Sequence, residues 1–255
     1  MQKTIDRSIV LANIVVALGA ALYLYSMLIH PWLNGGWKNV HAVWLEWQSL
    51  NVGILAFLAS LIAFNVSRHH ANQQRKREMV AARSFLPDAL SDLDSYFEAS
   101  AETLKLMNDL SHVGRAPSGA PIDVRPPQLP GTHREIFSRC ISLAEPPLAE
   151  YLSYILKCLQ VHNARISQVA TEFRPGGNAG FSRDVANSYM LRLGELQALI
   201  NNLFDYARGE AEFSQKTLNW ETMKNAFSNL HVYLEYFPGL EDFTKRKVGN
   251  SWNIS

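Results

Sequence analysis

Three carboxylates on one predicted helix have the spacing that most suggests chemistry. Asp94, Glu98 and Glu102 lie four residues apart, so on a helix they form a row along a single face. Such a row could hold a metal ion or serve in acid–base catalysis. A helical di-metal site, however, also takes Glu-x-x-His pairs from other helices, and the sequence contains none. The row is therefore predicted to be a solvated face.

The histidines offer a second set of candidates. His69 and His70 are adjacent, so on a helix they point in different directions and make a poor metal pair. His162 falls on a heptad-like apolar seam within residues 148–173. A single histidine on such a seam is predicted to be a hydrogen-bonded core residue. A ligand-binding role or a pH switch is the alternative.

Neither the cysteines nor any sequence motif indicates an enzyme. Cys140 and Cys158 are the only cysteines, and both are predicted to be free, buried thiols. The sequence lacks Cys-x-x-Cys, His-Glu-x-x-His, Gly-x-Ser-x-Gly, Gly-x-Gly-x-x-Gly and Walker motifs. No catalytic residue, cofactor or metal is predicted, and we expect a protein that is not an enzyme.

Two apolar segments near the N-terminus dominate the sequence, Ile9–Ile29 and Leu50–Val66. About 20 apolar residues in a helix cross a bilayer, and the second segment reaches that length with Val43–Trp47. Residues 1–66 are therefore predicted to form a transmembrane hairpin with spans at about 8–29 and 45–66. A cleaved signal peptide is the alternative for the first segment, but its apolar run is longer than a signal core.

Basic and aromatic residues beside the two segments predict their orientation. Five basic residues follow the second segment: Arg68, Arg75, Lys76, Arg77 and Arg83. Lys3 and Arg7 precede the first segment, and the connection holds only Lys38. Both termini are therefore predicted to face the cytoplasm, with the five basic residues near anionic headgroups. Four tryptophans are predicted to lie at the outer interface: Trp32, Trp37, Trp44 and Trp47.

Small residues four positions apart predict close contacts between helices in lipid. Ala17 is paired in this way with Ala21, and Ala56 with Ser60. Asn13 adds a polar side chain at membrane depth, where a hydrogen bond to another helix is expected. Contact within the hairpin is the favoured interpretation, and contact between protomers of a homo-oligomer is the alternative.

The rest of the chain is predicted to be helical and cytoplasmic. Residues 67–84 are expected to form a basic juxtamembrane stalk, residues 85–237 a helical bundle, and residues 238–255 a loosely held tail. Apolar residues of the bundle recur at helical spacing, and no alternating pattern indicates strands. A Pro-rich loop at 113–131 interrupts the bundle and contains a PxxP match at Pro127–Pro130. The fold class is all-α.

Within the bundle, local signals predict where individual helices begin and end. Pro87 should kink or restart a helix, and Ser182 should cap the helix that follows it. The last helix is expected to carry an apolar stripe from Phe213 to Leu234. The net charge of +1 gives no indication of direct nucleic-acid binding.

This order of parts resembles a class of small bacterial membrane proteins with two N-terminal spans and a cytoplasmic helical domain. The resemblance rests on Ile9–Val66 and on the domain order. The class includes anti-phage effectors, among them the two-transmembrane effectors of retron systems. The resemblance implies a non-enzymatic effector that oligomerises and perturbs the bacterial inner membrane. Its soluble domain, or a regulatory protein or nucleoprotein partner, would hold it inactive until it is released. The alternatives are a membrane-tethered scaffold that docks a protein partner and a sensor that binds a small ligand near His162.

Overall fold

The computed structural model describes residues 14–112, 124–173 and 181–248. All regular secondary structure in these ranges is helical, which confirms the predicted all-α class for the described residues. The chain divides into two units, Met1–Asn72 and Gln73–Ser255. Asn13 lies outside the described residues.

The first unit contains two long apolar helices, and residues 30–44, which were predicted to connect the spans, belong to the first of them. Helix α1, Ile14–Glu46, contains a π-helical turn at Tyr25–Ile29. Helix α2, Gln48–Arg83, begins in this unit and continues without interruption to Arg83. Both helices are long and apolar enough to cross a membrane.

A pair of glycines breaks the backbone of α1. Gly36 has φ +64° and ψ −158°, a conformation that side-chain-bearing residues rarely adopt. Hydrogen bonds join residues from the two sides of this break. The indole Nε1 of Trp44 donates to the carbonyl oxygen of Met27 (3.1 Å), and the Tyr23 hydroxyl donates to Asn51 Oδ1 (2.6 Å).

The second unit is a bundle of seven α-helices within the described residues. In chain order they are α3 Leu86–His112, α4 Thr132–Leu143, α5 Pro146–Glu172, α6 Arg183–Asn201, α7 Phe204–Arg208, α8 Trp220–Asn229 and α9 Leu240–Val248. A short 3-10 turn, Leu234–Tyr236, precedes α9. A turn at Ser84 and Phe85 separates α2 from α3, which agrees with the prediction that Pro87 restarts the helix.

Helix α6 is the centre of the bundle. It packs against α3, α5, α8 and α9, and its eight residues from Leu193 to Ile200 are all buried. Apolar residues at helical spacing predict one buried face for α6. Because α6 is enclosed by other helices, it buries every face instead. Glu195 and Gln197 are therefore buried along with their apolar neighbours.

The ends of α6 and α8 follow from local capping. The Ser182 hydroxyl accepts a hydrogen bond from the N–H of Val185 (3.4 Å), which confirms the predicted cap of α6. The prediction of a helical stripe beginning at Phe213 is wrong. Helix α8 begins only at Trp220, because Asn219 and Thr222 exchange reciprocal side-chain to backbone hydrogen bonds in a capping box.

The expectation of a loose C-terminal tail is wrong for Leu240–Val248. This segment is helix α9, and both Leu240 and Thr244 are buried. The turn before α9 is held by Asn187, whose Nδ2 donates to the carbonyl oxygen of Pro238 (3.2 Å). A nine-residue helix with two buried positions carries too little periodicity to be recognised from sequence.

A methyl group at Gly194 should destabilise the bundle. A Cβ at this position would lie 2.5 Å from Phe227 Cε1 and 3.1 Å from Met223 Cε. Overpacking lowers the free energy of unfolding by about 1–3 kcal/mol. The higher helix propensity of Ala relative to Gly raises it by up to about 1 kcal/mol. We therefore expect Gly194→Ala to lower the free energy of unfolding by about 1–2 kcal/mol in urea denaturation of the full chain in detergent.

Gly53→Ala is the matched control, since it adds the same methyl group within a helix and meets no atom within 4 Å. Equal stability of Gly194→Ala and the wild-type chain would contradict the tight packing of α6 on α8.

Candidate functional site

The apolar surface of the first unit is the first candidate site. The most apolar 18-residue windows of α1 and α2 are only 11% and 6% buried. Large side chains such as Phe57, Ile62 and Phe64 are more than half exposed. A helix from a soluble core buries its apolar face, whereas the described residues of this unit leave the apolar faces of the two helices largely exposed.

The predicted interface and contact residues lie on this surface. Trp32, Trp37 and Trp47 are about half exposed or more, whereas Trp44 is partly buried by its bond to Met27. Four small residues are exposed: Ala17, Ala21, Ala56 and Ser60. The favoured interpretation placed these small residues in contacts within the hairpin, but their exposure leaves those faces uncovered in the single chain.

Two of the five basic residues after the second apolar segment also bind the bundle. Arg75 donates from Nε to the carbonyl oxygen of Leu143 (3.0 Å) and from Nη2 to that of Ala144 (2.9 Å). These carbonyls lie at the C-terminal end of α4, where helical partners are lacking. The Arg83 guanidinium lies over the Tyr206 ring, 5.3 Å from its centroid. Arg68, Lys76 and Arg77 are exposed.

A cavity of about 440 Å³ between α5 and α6 is the second candidate site. Its floor is formed by four buried side chains: His162, Glu195, Leu196 and Leu199. Tyr154, Cys158 and Tyr189 form half-buried walls, and Lys157, Arg165 and Arg192 stand at the exposed rim. The volume falls within the range of small-molecule sites.

Glu195 brings a carboxylate into this floor. It is 4% exposed, and its Oε2 accepts a hydrogen bond from Arg192 Nη1 (2.8 Å). Its Oε1 is buried with no hydrogen-bond partner among the described residues. Burial raises the pKa of Glu195 to about 6, although Arg192 acts in the opposite direction. The sequence did not indicate Glu195 as a site residue, because apolar spacing predicts only one buried face for this helix.

His162 is the predicted candidate that the structure brings into the cavity. It is buried, as expected, and its ring meets Tyr96 and Phe97 edge-on at centroid distances of 6.1 and 6.5 Å. Its Nε2 has no hydrogen-bond partner in the part of the chain that the structure describes. Burial lowers the pKa of His162 to about 4. The imidazole is therefore neutral at neutral pH, and a switch in that range has no support from this residue.

The two thiols occupy different environments. Cys140 is fully buried, and Cys158 is partly exposed on the cavity wall. Burial raises the pKa of the Cys158 thiol, and a hydrogen bond with Tyr154 acts in the opposite direction. The prediction of a buried thiol is confirmed for Cys140 and wrong for Cys158, which lies at the cavity rather than in the core.

The acidic row on α3 is not a metal site in this structure. Asp94 is half-buried and accepts a hydrogen bond from Gln197 Nε2 (2.5 Å), so the prediction of a fully solvated row is wrong at this residue. The reason is that α6 presents a polar side chain to α3. Within the described ranges, no three His, Cys, Asp or Glu side chains are grouped so that they could hold a metal ion.

No protein-family model matches this sequence, and no curated protein or solved structure resembles it at a significant level.

Glu195→Gln should stabilise the protein at neutral pH. The folded-state pKa of about 6 lies above the ordinary value of 4.5. The folded chain therefore binds more protons than the unfolded chain between these pH values, and the contribution of Glu195 to stability falls as the pH rises through them. At about 1.4 kcal/mol per pKa unit, the amide should raise the free energy of unfolding by about 2 kcal/mol at neutral pH.

At pH 4.5 the difference between Glu195→Gln and wild type should be close to zero. Urea denaturation at the two pH values measures both effects. The control is Glu150→Gln on an exposed part of α5, which should leave stability unchanged. Destabilisation by Glu195→Gln at neutral pH would show that the ionised carboxylate is favoured by its surroundings.

Proposed function

We propose that the protein is a membrane effector of a bacterial inner membrane. Residues 1–66 form a two-span hairpin with both termini in the cytoplasm, and the helical bundle is cytoplasmic. Hairpins from several copies associate and perturb the membrane, as an anti-phage effector does. The observation that carries this proposal is the low burial of the two apolar helices, 11% and 6% of their most apolar windows.

The size of the exposed apolar surface supports a lipid environment. Monomeric soluble proteins rarely expose apolar patches larger than a few hundred Å². Here exposed apolar residues recur along α1 from Ile14 to Ile29 and along α2 from Leu50 to Val66. A helical segment pairs its backbone N–H and C=O groups internally, as lipid requires.

The polar contacts of the first unit support a hairpin. The break at Gly35 and Gly36 allows the chain to reverse. Asn51 is 4% exposed, and both ends of its amide are used: Oδ1 accepts from Tyr23, and Nδ2 donates to the Trp44 carbonyl oxygen (3.4 Å). Polar groups near the membrane are expected to find such partners.

Uncovered small residues support self-association. Ala17 with Ala21, and Ala56 with Ser60, leave shallow exposed faces on which another helix could pack closely. The Ser60 hydroxyl already donates to the Ala56 carbonyl oxygen (2.9 Å), so its hydrogen-bond donor is satisfied within its own helix. Contact between protomers would cover the faces that the single chain leaves open.

Cysteine labelling tests the topology. In a Cys158→Ser background, Lys38→Cys should react with a membrane-impermeant maleimide in intact cells, because Lys38 lies in the connection between the spans and is exposed. Glu150→Cys on the bundle should react only after the membrane is permeabilised. Labelling of Glu150→Cys in intact cells would place the bundle outside and contradict the proposed orientation.

A potential-sensitive dye tests membrane perturbation. Mass action favours assembly at high expression, so induction of the full chain should depolarise cells. Ala56→Leu combined with Ser60→Leu should weaken both depolarisation and crosslinked oligomers, because larger side chains prevent close helix approach. The control Leu55→Ile changes an exposed residue of the same helix and should behave as wild type.

An intact membrane potential at every expression level would overturn the effector proposal. If an unrelated membrane anchor then restored the cellular function of the bundle, the scaffold alternative would replace it.

A further inference from the structure

The cavity between α5 and α6 has the chemistry of a binding site that membrane perturbation does not use. We propose that it binds a small organic anion. The anionic group lies at the basic rim, an apolar or aromatic body fills the interior, and an N–H or O–H group of the ligand donates to the floor. This assignment concerns the bundle alone and does not rest on the effector proposal.

The floor holds two polar atoms without protein partners. Glu195 and His162 are each 4% exposed, and both line the cavity. Glu195 Oε1 and His162 Nε2 have no hydrogen-bond partner among the described residues. Seven side-chain atoms are buried without a partner among the described residues, and these two are the ones on residues that line this cavity. Because buried polar groups are usually paired, two such atoms at one cavity point to a ligand that pairs with them. A donor from the ligand satisfies Glu195, and a hydroxyl satisfies either tautomer of His162.

The geometry of the floor is already fixed before a ligand arrives. Arg192 Nη1 holds Glu195 Oε2 at 2.8 Å, which leaves Oε1 as the atom that meets the ligand. The His162 ring contacts the rings of Tyr96 and Phe97 edge-on. A site whose polar groups are held in place loses less side-chain entropy on binding.

The interior fits an apolar or aromatic body. Leu196 and Leu199 are buried beneath it, and the aromatic rings of Tyr154 and Tyr189 form parts of the walls. Small-molecule sites typically combine apolar surfaces with a few placed polar groups. The volume of about 440 Å³ is open at one side towards the rim.

The charges of the rim select an anion. Lys157, Arg165 and Arg192 line the cavity, whereas Glu195 is the one carboxylate among the residues that line it. Arginine presents its donors in a fixed fork that suits phosphate, sulfonate and carboxylate groups. Arg192 is paired with Glu195, so a cationic ligand would meet the positive charges of Lys157 and Arg165 at the entrance.

Cys158 provides a direct measure of occupancy. Its thiol lies on the cavity wall, whereas Cys140 is fully buried and serves as an internal control. The full chain in detergent is treated with N-ethylmaleimide, and the modification of each cysteine is followed by peptide mass spectrometry. The probe is anilinonaphthalene sulfonate, which joins an aromatic body and an N–H donor to a sulfonate.

The probe should slow alkylation of Cys158 about tenfold at a concentration about ten times its dissociation constant, because only the unoccupied site reacts. Phenyl-naphthylamine has the same aromatic body and N–H group but lacks the sulfonate. Because a charge-assisted contact is lost, its concentration should have to be at least about tenfold higher for equal protection of Cys158. This comparison uses the wild-type chain and so does not depend on the folding of a variant.

Arg165→Ala should weaken protection by the sulfonate and leave protection by the neutral analogue unchanged. Arg183→Ala is the matched control, because Arg183 is exposed on α6 and does not line the cavity. Equal protection by both probes in wild type would overturn the assignment of an anion. Absence of protection by either probe, or a Cys158 that does not react at all, would overturn the binding site itself.

Discussion

The removal of apolar side chains from water is the constraint on which this structure depends, and α6 shows how the bundle meets it. Four helices surround α6 and bury it on all sides from Leu193 to Ile200. Such enclosure requires close contacts, and Gly194 allows Phe227 to approach the backbone where a methyl group would not fit. The burial that stabilises the bundle also takes Glu195 and Gln197 out of water.

The polar residues on α6 explain how a cavity arises beside a well-packed core. Gln197 finds a partner in Asp94 on α3, and Asn187 finds one in the Pro238 carbonyl. Glu195 faces α5 and is only half satisfied by Arg192. The amide oxygens of Gln197 and Asn187 are also buried without a partner among the described residues, but Glu195 is the one of the three that lines the cavity. An ionised carboxylate held in this way is costly unless further donors reach it, so this side of α6 is suited to binding.

The first unit meets the same constraint in a different way. Its helices bury little of their apolar surface against each other, and the packed contacts cluster around the glycine break, where Trp44 and Asn51 are hydrogen-bonded. In the proposed function, a bilayer would cover the remaining surface without specific packing. This difference accounts for the two compositions in one chain: nearly uncharged helices at the start, and helices with one apolar face in the bundle.

Features encoded within a few residues were determined by the sequence alone. The apolar length of α1 and α2, the cap at Ser182 and the apolar seam of α5 each depend on neighbouring positions of one helix. The same local reasoning failed for the segment before Trp220, where the apolar spacing continued but the Asn219 cap set a later start. Helix α9 was missed because its buried residues are defined by the helices it packs against.

Only the tertiary structure decided what the polar side chains do. Arg75 binds carbonyls almost 70 positions away in the sequence, although its position after an apolar segment predicted only a headgroup contact. Glu195 is buried because four helices enclose α6, and His162 on α5 shares a cavity with Glu195 because α5 packs against α6. Periodicity reports which face of a helix is apolar, whereas a binding site depends on which faces of different helices meet.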